Sequence, residues 1–177
     1  GLGLGNRRQR GRCVSRSRRP DWLRFDHGDL PIDTEAQRVE SFELRIFFIG
    51  DVVGRSGCVA VSQRLSQMIA DWKIDLAIVN GENAADGFGI TEPIYREFVA
   101  AGADAVTLGN HSWSKKEALA FIEHAPRLIR PINYIPGAPG CGSALVETKN
   151  GKRALVVNAL GRLLMDPVND PFGLLDR

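Results

Sequence analysis

Three points along the chain carry side chains suited to holding metal ions and moving a proton. They are Asp51 in Gly50-Asp51-Val52-Val53-Gly54, Glu82 with Asn83 in Asn80-Gly81-Glu82-Asn83-Ala84-Ala85, and Asn110 with His111 in Gly109-Asn110-His111-Ser112-Trp113. Two carboxylates, two amides and one imidazole form a hard, oxygen-rich donor set. Such a set suits Mn, Fe or Mg better than a thiolate cage for zinc. Two divalent ions held about 3.5–4 Å apart need a bridging anion to offset their repulsion, and Glu82 or a bound hydroxide could supply it. Each motif alone is ordinary. Gly-Asp is a common turn, Glu-Asn suits a solvated loop, and Gly-Asn-His suits a helix-opening turn with a structural histidine. The signal is their recurrence, each directly after a glycine that closes an apolar run.

Those apolar runs are the elements that must position the site. Leu44–Ile49, Ile74–Asn80 and Asp104–Leu108 read as buried strands. Between them, Val61, Leu65, Met68, Ile69 and Trp72 recur at helical spacing and predict a helix over Cys58–Trp72. Thr91 is placed to cap a second helix that runs to Ala101 and stops at Gly102. Ser114-Lys115-Lys116-Glu117 has the form of a capping box opening a helix to about His124, where a surface histidine suits the helix dipole. Arg127–Ile132 predicts a short fourth strand. Ser143–Thr148 and Arg153–Leu160 flank Asn150-Gly151, the signal of a two-residue hairpin turn. Strand and helix in alternation imply an α/β domain with a mostly parallel sheet. Ligands of such sheets bind outside the carboxyl ends of the strands, so neighbouring parallel strands would gather the three motifs at one edge.

The net charge of +2 hides an uneven distribution. Residues 1–20 hold seven arginines and no acid, and residues 21–43 hold seven acids and two arginines. From Leu44 onward fourteen basic residues balance fourteen acidic ones, which gives no electrostatic case for binding duplex nucleic acid. Residues 1–43 lack helical or strand periodicity and are expected to be a disordered tail. A basic nucleic-acid arm, a targeting peptide and upstream sequence foreign to the domain all fit them, and the last is favoured. His27 in this tail is expected to be solvated. Cys13, Cys58 and Cys141 form neither a zinc pattern nor a disulfide framework and are expected to be reduced thiols of a cytoplasmic protein. No apolar run approaches the roughly 20 residues that cross a bilayer, so no membrane partner is expected.

Phe47–Gly57, Asp75–Thr91, Gly102–Trp113 and Arg127–Ser143 together resemble the YmdB-type metallophosphoesterases, a group of 2′,3′-cyclic-nucleotide 2′-phosphodiesterases within the calcineurin-like superfamily. The resemblance runs from Leu44 to about Phe172. It implies an α/β/β/α sandwich, with 44–177 its N-terminal part. It also implies two metal ions, iron first and manganese or magnesium next. On the matching positions, Asp51 would hold the first metal with Asn83 beside it, Glu82 would bridge both metals, and Asn110 would bind the second. His111 would be the catalytic proton donor. The implied reaction is attack of a metal-held hydroxide on a 2′,3′-cyclic nucleotide, leaving a 3′-nucleotide, and the resemblance also implies homo-oligomers.

The chain departs from the family pattern at two places, and the subgroup itself departs from other calcineurin-like enzymes at a third. The Arg-rich tail has no counterpart. Val53 stands where other calcineurin-like enzymes have the histidine of Asp-x-His, as in this subgroup. The family completes its metal site with three histidines from its C-terminal half, and His124 matches none of them. The remaining ligands are therefore expected beyond residue 177, and the 177-residue chain is expected to be inactive and poorly soluble alone. Two other functions fit the same residues: a phosphodiesterase or nucleotidase of broader specificity, and a non-catalytic regulatory protein linked to RNA through the Arg-rich tail.

Overall fold

Four parallel strands lie side by side in chain order: β1 (Ile46–Ile49), β2 (Leu76–Asn80), β3 (Ala105–Thr107) and β4 (Leu128–Ile129). Ile46 is in register with Leu76, Ile78 with Ala105, and Val106 with Leu128. These positions come from a computed structural model that describes residues 43–176. The expectations for the tail, including His27 and Cys13, therefore fall outside the described residues, apart from Glu43.

The connections are helical. Helix α1 (Gly54–Trp72) buries Cys58, Val61 and Leu65 on one stripe, as the period of 3.6 requires. It begins four residues before the predicted start. It ends at Lys73, which adopts a left-handed φ of 53°, and the amide of Ile74 closes back on Ile69 O at 3.0 Å. Helix α2 (Glu92–Ala101) buries Tyr95, Phe98 and Ala101 and stops at Gly102, whose φ of 110° suits glycine. Helix α3 (Ala118–Phe121) is a single turn continued by a 3-10 turn, Ile122–His124, with His124 exposed.

A step-by-step strand order with right-handed crossovers puts the helices on one face of the sheet. Phe47, Ile49, Ala77, Val79, Val106 and Leu128 point to that face and pack with Val61, Leu65 and Phe98. The alternate residues Leu76, Ile78, Ala105 and Ile129 point to the other face. There they meet Ala144, Val146, Ala154 and Val156 of an antiparallel hairpin, β5 (Ser143–Glu147) and β6 (Arg153–Val157). Helices, parallel sheet and hairpin are three stacked layers of an α/β fold. A last short helix, α4 (Pro171–Leu175), is capped by the Asp170 carboxylate, which accepts from the amides of Phe172 and Gly173.

Several local expectations are corrected. β1 is not a buried strand: Ile46 is 55% and Phe48 57% exposed on the hairpin side. The capping box does not form, because the Glu117 carboxylate accepts instead from the Glu92 amide at 3.3 Å. That bond also supplies the start of α2, where the Thr91 side chain caps nothing. The hairpin turn is longer than two residues. Thr148 N donates to Lys152 O at 2.7 Å across Lys149-Asn150-Gly151, and only Gly151 has a positive φ, 80°. A two-residue type I′ turn needs two such residues, whereas a three-residue loop ends on one. Cys58 is a buried free thiol, and burial pushes it above its ordinary pKa. Among the described residues no helix is long and apolar enough to cross a membrane.

Candidate metal and proton-transfer site

Because β1, β2 and β3 are adjacent and parallel, the residues that follow them gather at one edge. Asp51 follows β1, Glu82 and Asn83 follow β2, and Asn110 and His111 follow β3. All five predicted residues are therefore brought together. Asp51 and Asn110 are exposed, and Glu82, Asn83 and His111 are half-buried.

A hydrogen-bonded line runs across the three strand ends. Asn83 Nδ2 donates to Asp51 Oδ1 at 2.6 Å, and Asn83 Oδ1 lies 2.6 Å from His111 Nδ1. A carboxylate can only accept, so the amide nitrogen must face Asp51. The amide oxygen then faces the imidazole, and because it too can only accept, Nδ1 carries the proton. Asn83 thus fixes both the position and the tautomer of His111 and leaves Nε2 uncommitted by this pair. Both polar ends of Asn83 are spent in doing so.

Glu82 sits beside this line. Its Oε2 atom is buried with no hydrogen-bond partner. Burial raises the carboxyl above its ordinary 4.5, the His111 side chain pulls it down, Asp51 adds to the rise, and the backbone amides of His111 and Asn110 beside the carboxylate oppose it. An unpartnered carboxylate oxygen inside a protein is costly unless a cation meets it. The carboxylate occupies the space where a Cβ on residue 109 would be, so only glycine at Gly109 admits it. Gly81 is also a matter of space, since a Cβ there would come within 2.9 Å of Ile90 and 3.2 Å of Val106. The glycines therefore do not act by turning the chain. At the first motif it is Asp51 that takes the left-handed φ, 48°, a conformation that Asp tolerates better than most residues.

The donor chemistry fits a divalent cation: a buried orphan carboxylate oxygen, an exposed carboxylate and an exposed amide at one edge. It is an incomplete set, since among the described residues no three His, Cys, Asp or Glu side chains form a group able to hold a metal.

Several supporting residues were not singled out from the sequence. Tyr134 donates to Gly109 O at 2.7 Å, and Ser112 donates to the same oxygen at 2.6 Å. Burial lifts the Tyr134 phenol above its ordinary pKa, Ser112 opposes this, and Glu82 adds to it. Arg130 donates to the carbonyls of Pro131, Ala138, Pro139 and Gly140, which fixes the loop that presents Tyr134. Asn158 Nδ2 donates to Leu108 O and Ile129 O and braces the ends of β3 and β4. Asn80 Oδ1, at the end of β2, is buried without a partner. The Pro/Gly-rich spacing of residues 136–142 marks a loop, but no local pattern reveals which strand end it returns to. A cavity lined by Ile122, Pro126 and Cys141 shares no residue with the cluster.

Residues 47–177 match the family described as YmdB-like protein. The chain is 46% identical over 129 residues to the 2′,3′-cyclic-nucleotide 2′-phosphodiesterase of Bacillus subtilis (strain 168), covering 73% of this chain and 48% of that protein. The crystal structure of a hypothetical protein from Thermus thermophilus superimposes with a TM-score of 0.70 at 46% identity, covering 76% of this chain and 52% of that one. The crystal structure of a novel phosphatase from Mycoplasma pneumoniae gives a TM-score of 0.66 at 30% identity, covering 75% and 49%. The chain spans about half the length of the relatives it matches.

Proposed function

We propose, on the premise that this chain belongs to the YmdB-like protein family, that its β1–β3 edge is part of the centre of a dinuclear-metal phosphodiesterase that opens 2′,3′-cyclic nucleotides to 3′-nucleotides. The observation that carries the reading is the buried, partnerless Oε2 of Glu82 beside the hydrogen-bonded line Asp51–Asn83–His111.

Asp51, Glu82 and Asn110 would hold the metals, with Glu82 shared between them. Asn83, expected beside the first metal, would reach it only by giving up one of its two bonds, and its part is to join Asp51 to His111. Iron is the first choice of metal, then manganese or magnesium. When bound, two such ions supply positive charge to the phosphate and make a water acidic enough to attack near neutral pH.

The rest of the work belongs to the chain's own side chains. Asn83 holds His111 through Nδ1–H, so a proton delivered to the departing ribose 2′-oxygen comes from Nε2. That transfer leaves a neutral ring whose remaining proton is still bonded to Asn83. Proton donation of this kind is worth about 10²–10⁴-fold in rate. Residues 43–176 supply only part of the ligand set, so the 177-residue chain is expected to be inactive unless the other half of its relatives' length is supplied.

The test is a substrate panel on the protein completed in that way. Hydrolysis of 2′,3′-cyclic AMP to 3′-AMP should exceed that of 3′,5′-cyclic AMP and of an aryl phosphodiester. Comparable rates on all three would favour the second reading, a broad phosphodiesterase or phosphatase. That reading draws support from the Mycoplasma pneumoniae relative, which is described as a phosphatase.

A further inference from the structure

We propose that Phe88 is the platform on which the nucleobase stacks, and so a specificity-determining residue of this site. The inference rests on the function proposed above and adds what that reading leaves open, the recognition of the base.

Phe88 is 58% exposed, yet its ring is packed edge-to-face with His111, with centroids 5.0 Å apart and planes at 74°. The ring is not free to find cover. It stands on a loop closed on itself: Ala85 N donates to Gly89 O at 2.9 Å and Phe88 N to Ala85 O at 3.2 Å. The same loop is tied to two site residues, with Gly87 N bonded to Asn83 O at 3.0 Å and Gly89 N bonded to Glu82 O. Asp86, Gly87 and Gly89 all have positive φ, 57°, 90° and 77°. An Asp86–Lys115 ion pair at 3.6 Å adds a link to the segment that follows His111.

The geometry fits one role. With the rings nearly perpendicular, His111 covers at most one face of Phe88. In a 2′,3′-cyclic nucleotide the base is attached to the sugar carbon next to the one bearing the 2′-oxygen. If His111 addresses that oxygen, the base lies within one sugar ring of the imidazole. The exposed aromatic in contact with His111 is Phe88. Base–aromatic stacking tolerates every base, since each has a π face.

The experiment is an NMR titration of the protein completed as for the substrate panel, with Mg²⁺ present, using two product ligands that are not turned over: 3′-AMP and a methyl riboside 3-phosphate that lacks the base. Saturation transfer should fall most strongly on adenine H2 and H8. Phe88→Ala should weaken the nucleotide about tenfold to a hundredfold, within the range for one stacked base, while leaving the base-free ester within twofold. Phe88→Trp should restore the nucleotide. Equal weakening of both ligands would overturn the inference, because Phe88 would then act through His111. So would an unchanged affinity for the nucleotide, with the proposed function left standing. If the completed native protein binds neither ligand, the proposed function falls and takes this inference with it. Unchanged thermal melting of Phe88→Ala guards against a folding defect.

Discussion

The side-chain oxygen of Asn83 meets His111 Nδ1 at 2.6 Å, and this one contact sets which nitrogen of the imidazole is left for chemistry. The nitrogen end of the same amide is held by Asp51, so the orientation of Asn83 is not a matter of choice. Asn83→Ala should release the ring. A misplacement of about 1 Å can cost on the order of 10²-fold in rate. We expect a loss of that size in kcat with little change in metal content, measured by steady-state kinetics alongside elemental analysis. A variant with native kcat would show that the ring is positioned by other contacts.

Gly109→Ala should displace the Glu82 carboxylate, because the new methyl group would take its space. Disturbing the support of a metal site commonly costs about 10–100-fold in affinity. Isothermal titration with Mn²⁺ should show a drop of at least that size. Unaltered affinity would mean that Glu82 contributes nothing to binding.

Glu82→Gln should flatten the pH dependence of the metal-free protein. Burial raises the folded-state pKa of Glu82 above 4.5. Through the window above that value the unfolded chain releases its proton first, so stability falls as pH rises. The native metal-free chain should therefore lose stability relative to the glutamine variant as the pH rises above about 4.5. Urea denaturation across that range checks it, and parallel curves for the two proteins would count against the buried charge.

The outer side of the hairpin carries Leu145, Leu155 and Val157 in solvent, and Ile46 and Phe48 of β1 are exposed as well. Patches of this kind promote association. Leu155→Thr should reduce self-association in sedimentation velocity runs and change stability by no more than about 0.5 kcal/mol, as for most surface substitutions. No change in the sedimentation profile would acquit this face.

Legibility in the sequence followed the range of the interactions. β2 and β3 were readable because an apolar run bounded by glycine is a local signal, and α1 because Val61 and Leu65 repeat at helical spacing. The assembly of Asp51, Glu82 and Asn110 followed from parallel strands alone. What stayed hidden depended on distant partners. Glu117 looked like half of a capping box but turned to the Glu92 amide twenty-five residues away. Gly109 looked like a turn residue, and its role is to make room for a carboxylate from another strand end. Asn83 was expected beside the first metal, and the two bonds that its amide makes appear only once β1, β2 and β3 are in register. Tyr134 and Asn158 reach the site through contacts spanning 25 and 50 residues, which no local pattern encodes.

The central claim is that Glu82 serves the metals while His111 serves the proton, and metal content of purified variants separates the two most directly. Glu82→Ala should emerge with iron and manganese greatly depleted, whereas His111→Ala should keep native metal content and lose about 10²–10⁴-fold in turnover. Full metal occupancy in Glu82→Ala, or metal loss in His111→Ala, would contradict that division of roles.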